Sequence, residues 1–169
     1  YVRQLNLKAA EFSRSFVWIS PKGKTLSFKF RRFVSLEHHH LIAFKMEVKS
    51  LSGDVQFAFD SGINAQMTNS GSQHFLEGER RVFDNRFLQL TQTTNESGID
   101  VIHQATHRVN WNGKEIDIEP EMDMERRRVW LNYAFDLQEQ DVLTIEKLAT
   151  VHTSRDKENL RGGYELTKM

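Results

Sequence analysis

The sequence contains three consecutive histidines, His38, His39 and His40, and such a run suggests metal binding. In an extended segment His38 and His40 would share a face roughly 6.6 Å apart, while His39 would point away. Two ligands of one kind, with Glu37 as the neighbouring carboxylate, make an incomplete zinc site. We therefore interpret the run as a solvated corner between strands and predict no metal there.

His103 and His107 stand four residues apart, the spacing that aligns two zinc ligands on a helix. Gln104 occupies the position where a metalloprotease carries its general base. The surrounding residues alternate with period 2, so on a strand the two histidines would lie roughly 13 Å apart. We expect interior or half-buried polar residues of a sheet and no metal site.

A run of carboxylates, Glu119, Glu121, Asp123 and Glu125, is followed at once by the arginines 126–128. Acid–base catalysis by two carboxyl groups requires environments that separate their pKa values. Exposed carboxylates beside arginines provide no such separation. The run therefore predicts a solvated turn of mixed charge.

The polar insertion at residues 61–82 is the strongest candidate for a binding site, because long ordered loops on β scaffolds often carry function. Amides, carboxylates, guanidinium groups and aromatic rings bind sugars through paired hydrogen bonds and stacking. The candidate substrate-proximal residues are Asn69, Gln73, His74, Phe75, Glu77, Glu79 and Arg80. The sequence contains no phosphate-binding glycine loop, nucleophile elbow or Ser-His-Asp arrangement, so we predict no catalytic residue.

Alternation of apolar and polar residues runs through most of the chain and predicts eight or nine strands. Turn signals separate them, such as Pro21 with Gly23, and Asn112-Gly113 between Val109 and Ile116. One face of each strand is apolar, which predicts an all-β, antiparallel β-sandwich. Trp18 shares the face of Phe12 and Phe16 and is expected in the core.

Composition limits the class of protein. The 169 residues suit one domain, there is no Cys, and 23 basic residues balance 23 acidic ones. The neutral balance argues against nucleic-acid binding. No apolar run approaches the roughly 20 residues that a membrane span needs. We expect a cytoplasmic location, and a start at Tyr1 inside a strand-like pattern suggests a fragment of a longer protein.

The character of the sequence changes at the C-terminus. Residues 153–156, Thr-Ser-Arg-Asp, resemble a helix start in which Thr153 caps and Asp156 follows three residues later. The charged tail that follows contains Gly162-Gly163 and no apolar stripe. We expect a sandwich domain at residues 1–152 and the start of a linker at 153–169.

Several motifs resemble one family. They are Arg14-Ser-Phe-Val-Trp18, Arg32-Phe-Val-Ser-Leu36, His40-Leu41, Thr153-Ser-Arg-Asp156 and, within 62–81, Met67-Thr-Asn-Ser-Gly71 and Gln73-His-Phe-Leu-Glu-Gly-Glu79. Together they resemble the N-terminal domain of glycoside hydrolase family 65, the group that contains maltose, kojibiose, nigerose and trehalose phosphorylases. The resemblance covers essentially residues 1–160.

The resemblance implies a galactose-mutarotase-like supersandwich, truncated at its N-terminal side, whose linker leads to an (α/α)6 catalytic barrel absent from this chain. In such enzymes the barrel holds the general-acid Glu, inorganic phosphate is the co-substrate of an inverting reaction, and no organic cofactor is needed. It also implies an α-linked disaccharide substrate and a homodimeric parent. The loop 62–81 would reach the active-site mouth or a dimer partner. Ala10, where the family often has Gly, and Asn64-Ala65, where Asp-Gly is common, leave the substrate subgroup open.

Three functions remain to be compared. The preferred one is a non-catalytic domain that supports the catalytic barrel of a disaccharide phosphorylase or hydrolase. The first alternative is an independent carbohydrate-binding module with an exposed aromatic platform. The second is an aldose 1-epimerase-like enzyme, which would need a His general acid and a carboxylate base on either side of the sugar.

Overall fold

The computed structural model describes residues 1–156, which form strands joined by turns without any helix. The strands are β1 (Val2–Asn6), β2 (Glu11–Ile19), β3 (Thr25–Val34), β4 (Leu41–Ser50), β5 (Val55–Asn64), β6 (Phe75–Leu76), β7 (Arg80–Phe83), β8 (Phe87–Thr94), β9 (Asp100–Trp111), β10 (Lys114–Ile116), β11 (Glu121–Glu125), β12 (Arg128–Leu137) and β13 (Val142–Thr153). The all-β prediction is confirmed. The expected number of strands was too low because β1, β6, β7, β10 and β11 have five residues or fewer.

The described chain divides into two compact units. The first comprises Tyr1–Phe59, His107–Ile118 and Ala134–Lys147, and the second comprises Asp60–Thr106, Glu119–Tyr133 and the residues from Leu148 onward. Strands β5, β9, β12 and β13 contribute residues to both units. The candidate loop therefore belongs to the second unit.

Two sheets face each other within the first unit. One contains β1, β2, β3, β4, β13 and β9 side by side in that order, with β10 on β9, and the other pairs β12 with β5. The Phe28 ring of β3 lies 6.2 Å from the Phe57 ring of β5. Trp111 of β9 meets Phe135 of β12 edge-on at 5.9 Å. Apolar faces of two antiparallel sheets are thus packed together, and the β-sandwich prediction is confirmed.

The predicted hairpin at Asn112-Gly113 is present. Trp111 pairs with Lys114 and Val109 with Ile116, so the two turn residues connect β9 and β10 directly. Both have positive φ, 49° at Asn112 and 81° at Gly113, as a type I′ turn requires. Local turn chemistry therefore fixes this register.

The second unit places β8 between β9 on one side and β6 and β7 on the other, while β11 pairs with β12 and β12 with β5. Its core includes buried aliphatic side chains from three strands: Leu88, Leu90, Ile102, Val129 and Leu131. Buried Gln92 donates from Nε2 to the carbonyl oxygen of Ala65 at 3.3 Å. This hydrogen bond attaches the beginning of the candidate loop to β8.

Trp18 is not in the core as expected, because 46% of it is exposed. Strand β1 pairs with β2 only from Glu11 to Ser15, so Trp18 has a paired strand on one side alone, where it faces Leu26. The flanking Val17 and Ile19 are exposed as well. The end of β2 therefore extends past the strand that would cover it.

The acidic segment forms a strand where a turn was expected. Glu121–Glu125 is β11, which is exposed at every position and pairs with β12 from Asn132 to Arg128. The turn consists only of Arg126 and Arg127, and Arg127 has a φ of 60°. Pairing with an apolar partner strand overrides the low strand preference of the acidic residues.

Thr153 and Asp156 make local contacts at the end of β13. The Thr153 amide donates to the Asp156 carboxylate at 2.5 Å, and the Arg155 amide donates to the Thr153 hydroxyl at 3.3 Å. These side-chain contacts accompany the turn at residues 154 and 155. The remainder of the expected linker, residues 157–169, lies outside the described residues. Residues 1–156 include no helix that would span a membrane.

Candidate functional site

The candidate loop begins with contacts to the β11–β12 hairpin. Asn64 accepts the Gln66 amide on its side chain at 2.9 Å, which turns the chain out of β5. Gln66 then donates from Nε2 to the carbonyl oxygen of Arg126 at 2.8 Å, and the Ala65 amide donates to that of Arg127 at 2.8 Å. These contacts hold the loop against the turn between β11 and β12, which consists of Arg126 and Arg127.

A two-residue turn forms the middle of the loop. The amide of Asn69 donates to the carbonyl of Ser72 at 3.0 Å, and that of Ser72 donates back at 2.9 Å. Ser70 and Gly71 have φ values of 49° and 78°, as a type I′ turn requires. Asn69 therefore belongs to a self-contained exposed turn.

The return segment of the loop is pressed against β8 at Gly78. A Cβ at this position would lie 1.9 Å from the carbonyl oxygen of Thr91, whose amide donates to the Glu79 carbonyl at 2.9 Å. Only glycine permits so close an approach of two backbones. Gly78 thereby sets the height of its neighbours Glu77 and Glu79 above the sheet.

Glu77 is the centre of an ion-pair network. Its Oε2 accepts from Nε of Arg126 at 2.8 Å, and its Oε1 accepts from Nη1 of Arg80 at 3.2 Å. Arg80 also donates from Nη1 to the Glu125 carbonyl oxygen at 2.6 Å. The Glu77 carboxylate therefore joins the loop to the hairpin through Arg126, while its other oxygen binds Arg80.

The arginines control the protonation of Glu77. The hydrogen bond from Arg126 lowers the pKa of the Glu77 carboxyl, opposed by partial desolvation and assisted by the positive charges of Arg126, Arg80 and Arg127. The group stays ionised at neutral pH. The carboxylate can therefore accept hydrogen bonds and is not suited to donating a proton.

A polar groove of about 600 Å³ lies between the loop and the hairpin. It is lined by Glu77, Gly78, Glu79, Arg80, Arg81, Met124, Glu125 and Arg126. Glu79 pairs with Arg81 at 2.6 Å, so the charges along the groove alternate and largely compensate. Fixed carboxylates and guanidinium groups of this kind offer paired hydrogen bonds to a neutral polyhydroxyl ligand.

The sequence-predicted residues separate into two groups. Glu77, Glu79 and Arg80 line the groove, whereas Asn69, Gln73, His74 and Phe75 do not. Gln73 accepts the Phe75 amide on Oε1 at 3.1 Å, and the Asn95 amide donates to the His74 carbonyl at 3.0 Å. Phe75 is half-buried in β6 opposite Thr94. These four residues support the loop through contacts of their own.

Sequence reasoning missed the hairpin side of the groove, which consists of Met124, Glu125 and Arg126. The signal in the sequence is the arginine triplet that follows the acidic run, a pattern that predicts only a solvated turn. Arg126 is 49 positions from Glu77, so local pattern gives no sign that these segments meet.

Three of the histidines, His38, His103 and His107, have structural positions. His38 lies in a turn, where its amide donates to the Ser35 hydroxyl at 2.9 Å and its carbonyl accepts the Leu41 amide at 2.8 Å. His107 is buried and His103 half-buried in β9, as expected. Burial lowers the pKa of both, and that of His107 falls to about 3 with help from the charge of Lys147.

The fold and the groove define a β-sandwich domain that carries an ion-paired polar groove. The sequence profile described as "Glycosyl hydrolase family 65, N-terminal domain" matches residues 1–165. The chain belongs to this family of N-terminal domains.

Relatives and a solved structure agree with that assignment. The kojibiose phosphorylase of Halothermothrix orenii is 39% identical over 158 residues, covering 94% of this chain and 20% of that protein. The kojibiose phosphorylase of Escherichia coli is 28% identical over 156 residues, covering 92% and 20%. A putative kojibiose phosphorylase from human microbiome has the same fold, with a TM-score of 0.82 at 15% identity over 98% of this chain and 21% of that chain. The chain spans about a fifth of the length of the curated relatives it matches.

Proposed function

We propose that this chain is the non-catalytic N-terminal domain of a phosphorylase that acts on α-linked glucose disaccharides, and that its groove contributes to the mouth of the active site. Membership of the family and similarity to two kojibiose phosphorylases support the enzyme class. The doubly paired Glu77 carboxylate is the observation that carries the role of the groove.

The non-catalytic role follows from the chemistry of glycoside cleavage. A general acid for this reaction needs a carboxyl group whose pKa is raised by its surroundings. In Glu77 and Asp141 the opposite holds, because hydrogen bonds to their charged forms lower the pKa of both carboxyl groups. Both are suited to accepting hydrogen bonds and neither to donating the proton that a leaving sugar oxygen requires.

The groove suits sugar hydroxyls more than phosphate. Three carboxylates, from Glu77, Glu79 and Glu125, line it with three arginines, so an anion would meet as much repulsion as attraction. A neutral disaccharide would meet donors and acceptors already held in place. In this proposal the inorganic phosphate of the reaction binds in the catalytic barrel and not in this domain.

The remaining assignments belong to the parent protein. Its catalytic barrel is the main partner of this domain, with inorganic phosphate as co-substrate, no organic cofactor, a homodimeric assembly and a cytoplasmic location. The length of the relatives supports the presence of a further domain. The absence of Cys from the chain agrees with the location.

An NMR titration of the chain with maltose, kojibiose, nigerose, trehalose and glucose 1-phosphate tests the proposal. We expect one disaccharide to shift amides at 77–81 and 124–126 at millimolar concentration, and Glu77→Gln to abolish those shifts. Glu96→Gln, a change at an exposed Glu in the turn after β8, is the matched control and should preserve them.

Two results would contradict the proposal. Saturating shifts that avoid both segments would remove the role of the groove. Release of glucose 1-phosphate from a disaccharide and phosphate by the chain alone would show that the domain is catalytic.

A carbohydrate-binding module remains a second candidate because the aromatic residues exposed on or beside the larger sheet include Tyr1 at 66% and Trp18 at 46%. Sugar-induced shifts at these residues, unchanged by Glu77→Gln, would favour this alternative over the groove.

A further inference from the structure

The arginine triplet at the turn between β11 and β12 contains one arginine whose charge is not paired. Arg126 donates from Nε to the Glu77 carboxylate at 2.8 Å, and Nη1 of Arg128 lies 3.4 Å from the Glu125 carboxylate. In the part of the chain that the structure describes, the Arg127 side chain forms neither a hydrogen bond nor a salt bridge. Arg127 therefore differs from both of its neighbours.

The unpaired guanidinium of Arg127 is half-buried. Its Nε is enclosed by protein and has no acceptor, whereas Nη1 and Nη2 are not enclosed in this way. Removing a charged donor from water without giving it an acceptor is unfavourable, because the group loses hydration and gains no hydrogen bond. The two Nη atoms therefore remain available to the acceptor oxygens of a ligand.

The backbone at Arg127 is also unfavourable for a residue with a side chain. Its φ is 60° at the second position of a two-residue turn, since Glu125 pairs with Arg128 on either side of it. Glycine adopts this conformation readily, whereas a Cβ makes it costly. The amide of Ala65 donates to the Arg127 carbonyl at 2.8 Å and holds the turn in place. A strained backbone combined with an unpaired buried donor indicates that this side chain has a role in binding.

The charge of Arg127 acts beside the polar groove. It contributes to lowering the pKa of the Glu77 carboxyl, and Arg127 directly follows Arg126, which lines the groove. The groove itself has three carboxylates and three arginines, so its charges compensate, and Arg127 is not part of its wall. The positive charge of Arg127 is therefore additional. A ligand that matches both parts carries neutral hydroxyl groups at one end and an oxyanion at the other.

We propose that Arg127 binds the phosphate group of a sugar phosphate whose ring occupies the groove. A planar guanidinium offers two parallel N–H donors to a pair of phosphate oxygens. The inference rests on the proposed function, since it takes the groove to be a sugar site. Glucose 1-phosphate, which the proposed phosphorylase activity forms, is a ligand of this kind.

The test is an NMR titration of the chain with two ligands that differ at one group, glucose 1-phosphate and methyl α-glucoside. The Nε–H signals of the arginines and the backbone amides of residues 77–81 are followed together. We expect glucose 1-phosphate to shift the Arg127 Nε–H signal and the groove amides, and to bind at least about fivefold more tightly than methyl α-glucoside. Inorganic phosphate should bind more weakly than glucose 1-phosphate, because it lacks the ring.

Two variants separate the guanidinium from the backbone. Arg127→Gly removes both the side chain and the strain, so the preference for glucose 1-phosphate should disappear while the urea midpoint of unfolding stays the same or rises. Arg127→Lys keeps the positive charge and the strained backbone but lacks the paired donors, and it should retain only part of the preference. Arg155→Gln, a change at an exposed arginine in the turn after β13, should keep the full preference.

Several outcomes would overturn the inference. Equal affinity for glucose 1-phosphate and methyl α-glucoside, or a preference that survives Arg127→Gly, would remove the role of Arg127 and leave the groove as a sugar site. Inorganic phosphate that binds as tightly as glucose 1-phosphate would show that the ring takes no part. If neither sugar shifted residues 77–81, the groove itself would not be a sugar site, and the proposed function would fail together with this inference.

Discussion

The Glu77 carboxylate accepts a hydrogen bond from Nε of Arg126 at 2.8 Å across 49 positions of sequence. Glu77 comes from the return of the candidate loop, and Arg126 comes from the turn between β11 and β12. Their contact, together with that of Arg80, fixes one wall of the groove against the other. The Glu77 carboxylate therefore adds a side-chain link across the groove to the backbone contact that Arg80 makes with Glu125.

Replacing Glu77 by Gln should loosen the loop without unfolding the domain. Glu77 is exposed, so its ion pairs contribute little to global stability, but they are the contacts that join its loop segment to Arg126. We expect faster amide hydrogen exchange at residues 75–81 and an unchanged melting temperature. Glu96→Gln should alter neither, and slower exchange in the loop of Glu77→Gln would contradict the prediction.

The protonation of Glu77 should respond to Arg126. The pKa of Glu77 in the folded state is below the ordinary value of 4.5. The ionised carboxylate therefore stabilises the fold above the unfolded-state pKa, and this stabilisation is lost as pH falls through the folded-state pKa. Arg126→Gln removes the largest cause and should raise the titration midpoint of the Glu77 carboxyl carbon in NMR. Arg155→Gln is the control, and an unchanged midpoint in Arg126→Gln would refute the assignment.

Alanine at position 78 should destabilise the second unit. Its Cβ would overlap the Thr91 carbonyl oxygen, so the return of the loop must move away from β8. Overpacking of this type costs about 1–3 kcal/mol and should appear in urea unfolding. Sugar binding in the groove should weaken as well.

Comparison of Gly71→Ala with Gly78→Ala separates the effect of backbone strain from that of steric overlap. Gly71 has open space around it and a φ of 78°, so alanine there should cost about 1–2 kcal/mol through the left-handed backbone alone. It should leave the amide shifts of the groove unchanged. Perturbation of the groove by Gly71→Ala but not by Gly78→Ala would be inconsistent with the structure.

Burial of His107 predicts loss of stability in mild acid. Its folded-state pKa of about 3 lies below the ordinary 6.5, so between these values the unfolded state binds a proton that the folded state does not. The free energy of unfolding should therefore fall as pH decreases from about 6.5, by up to about 1.4 kcal/mol per pH unit from this group. Urea unfolding at pH 4 to 7 should show a shallower slope for His107→Gln, whereas the exposed His39→Gln should retain the original slope.

Ala10 occupies a backbone conformation that favours glycine, with a φ of 51° in the turn between β1 and β2. Ala10→Gly removes strain of about 1–2 kcal/mol and adds about 0.4–1 kcal/mol of unfolded-state entropy. The free energy of unfolding should rise by about 0.5–1 kcal/mol in a urea titration. Ala58→Gly, a substitution within β5, should lower it, and a loss of stability on Ala10→Gly would contradict the assignment.

Much of the fold follows from local pattern. Alternation of apolar and polar residues places the long strands, because side chains of a strand alternate between two faces. Asn112-Gly113 specifies its hairpin because both positions need positive φ. The sequence also identified the loop that contains Glu77, Glu79 and Arg80, since its length and polarity are unusual between two strands.

Only the tertiary structure decided which residues meet. The other wall of the groove, from Met124 to Arg126, is distant in sequence, and pairing with β12 gives this acidic segment a strand conformation that its composition does not favour. Trp18 is exposed because only β3 pairs beside it, since the pairing of β1 with β2 covers Glu11 to Ser15. The periodicity of a chain specifies which side of a strand is apolar, but the extent and register of the neighbouring strands determine how much of that side is covered.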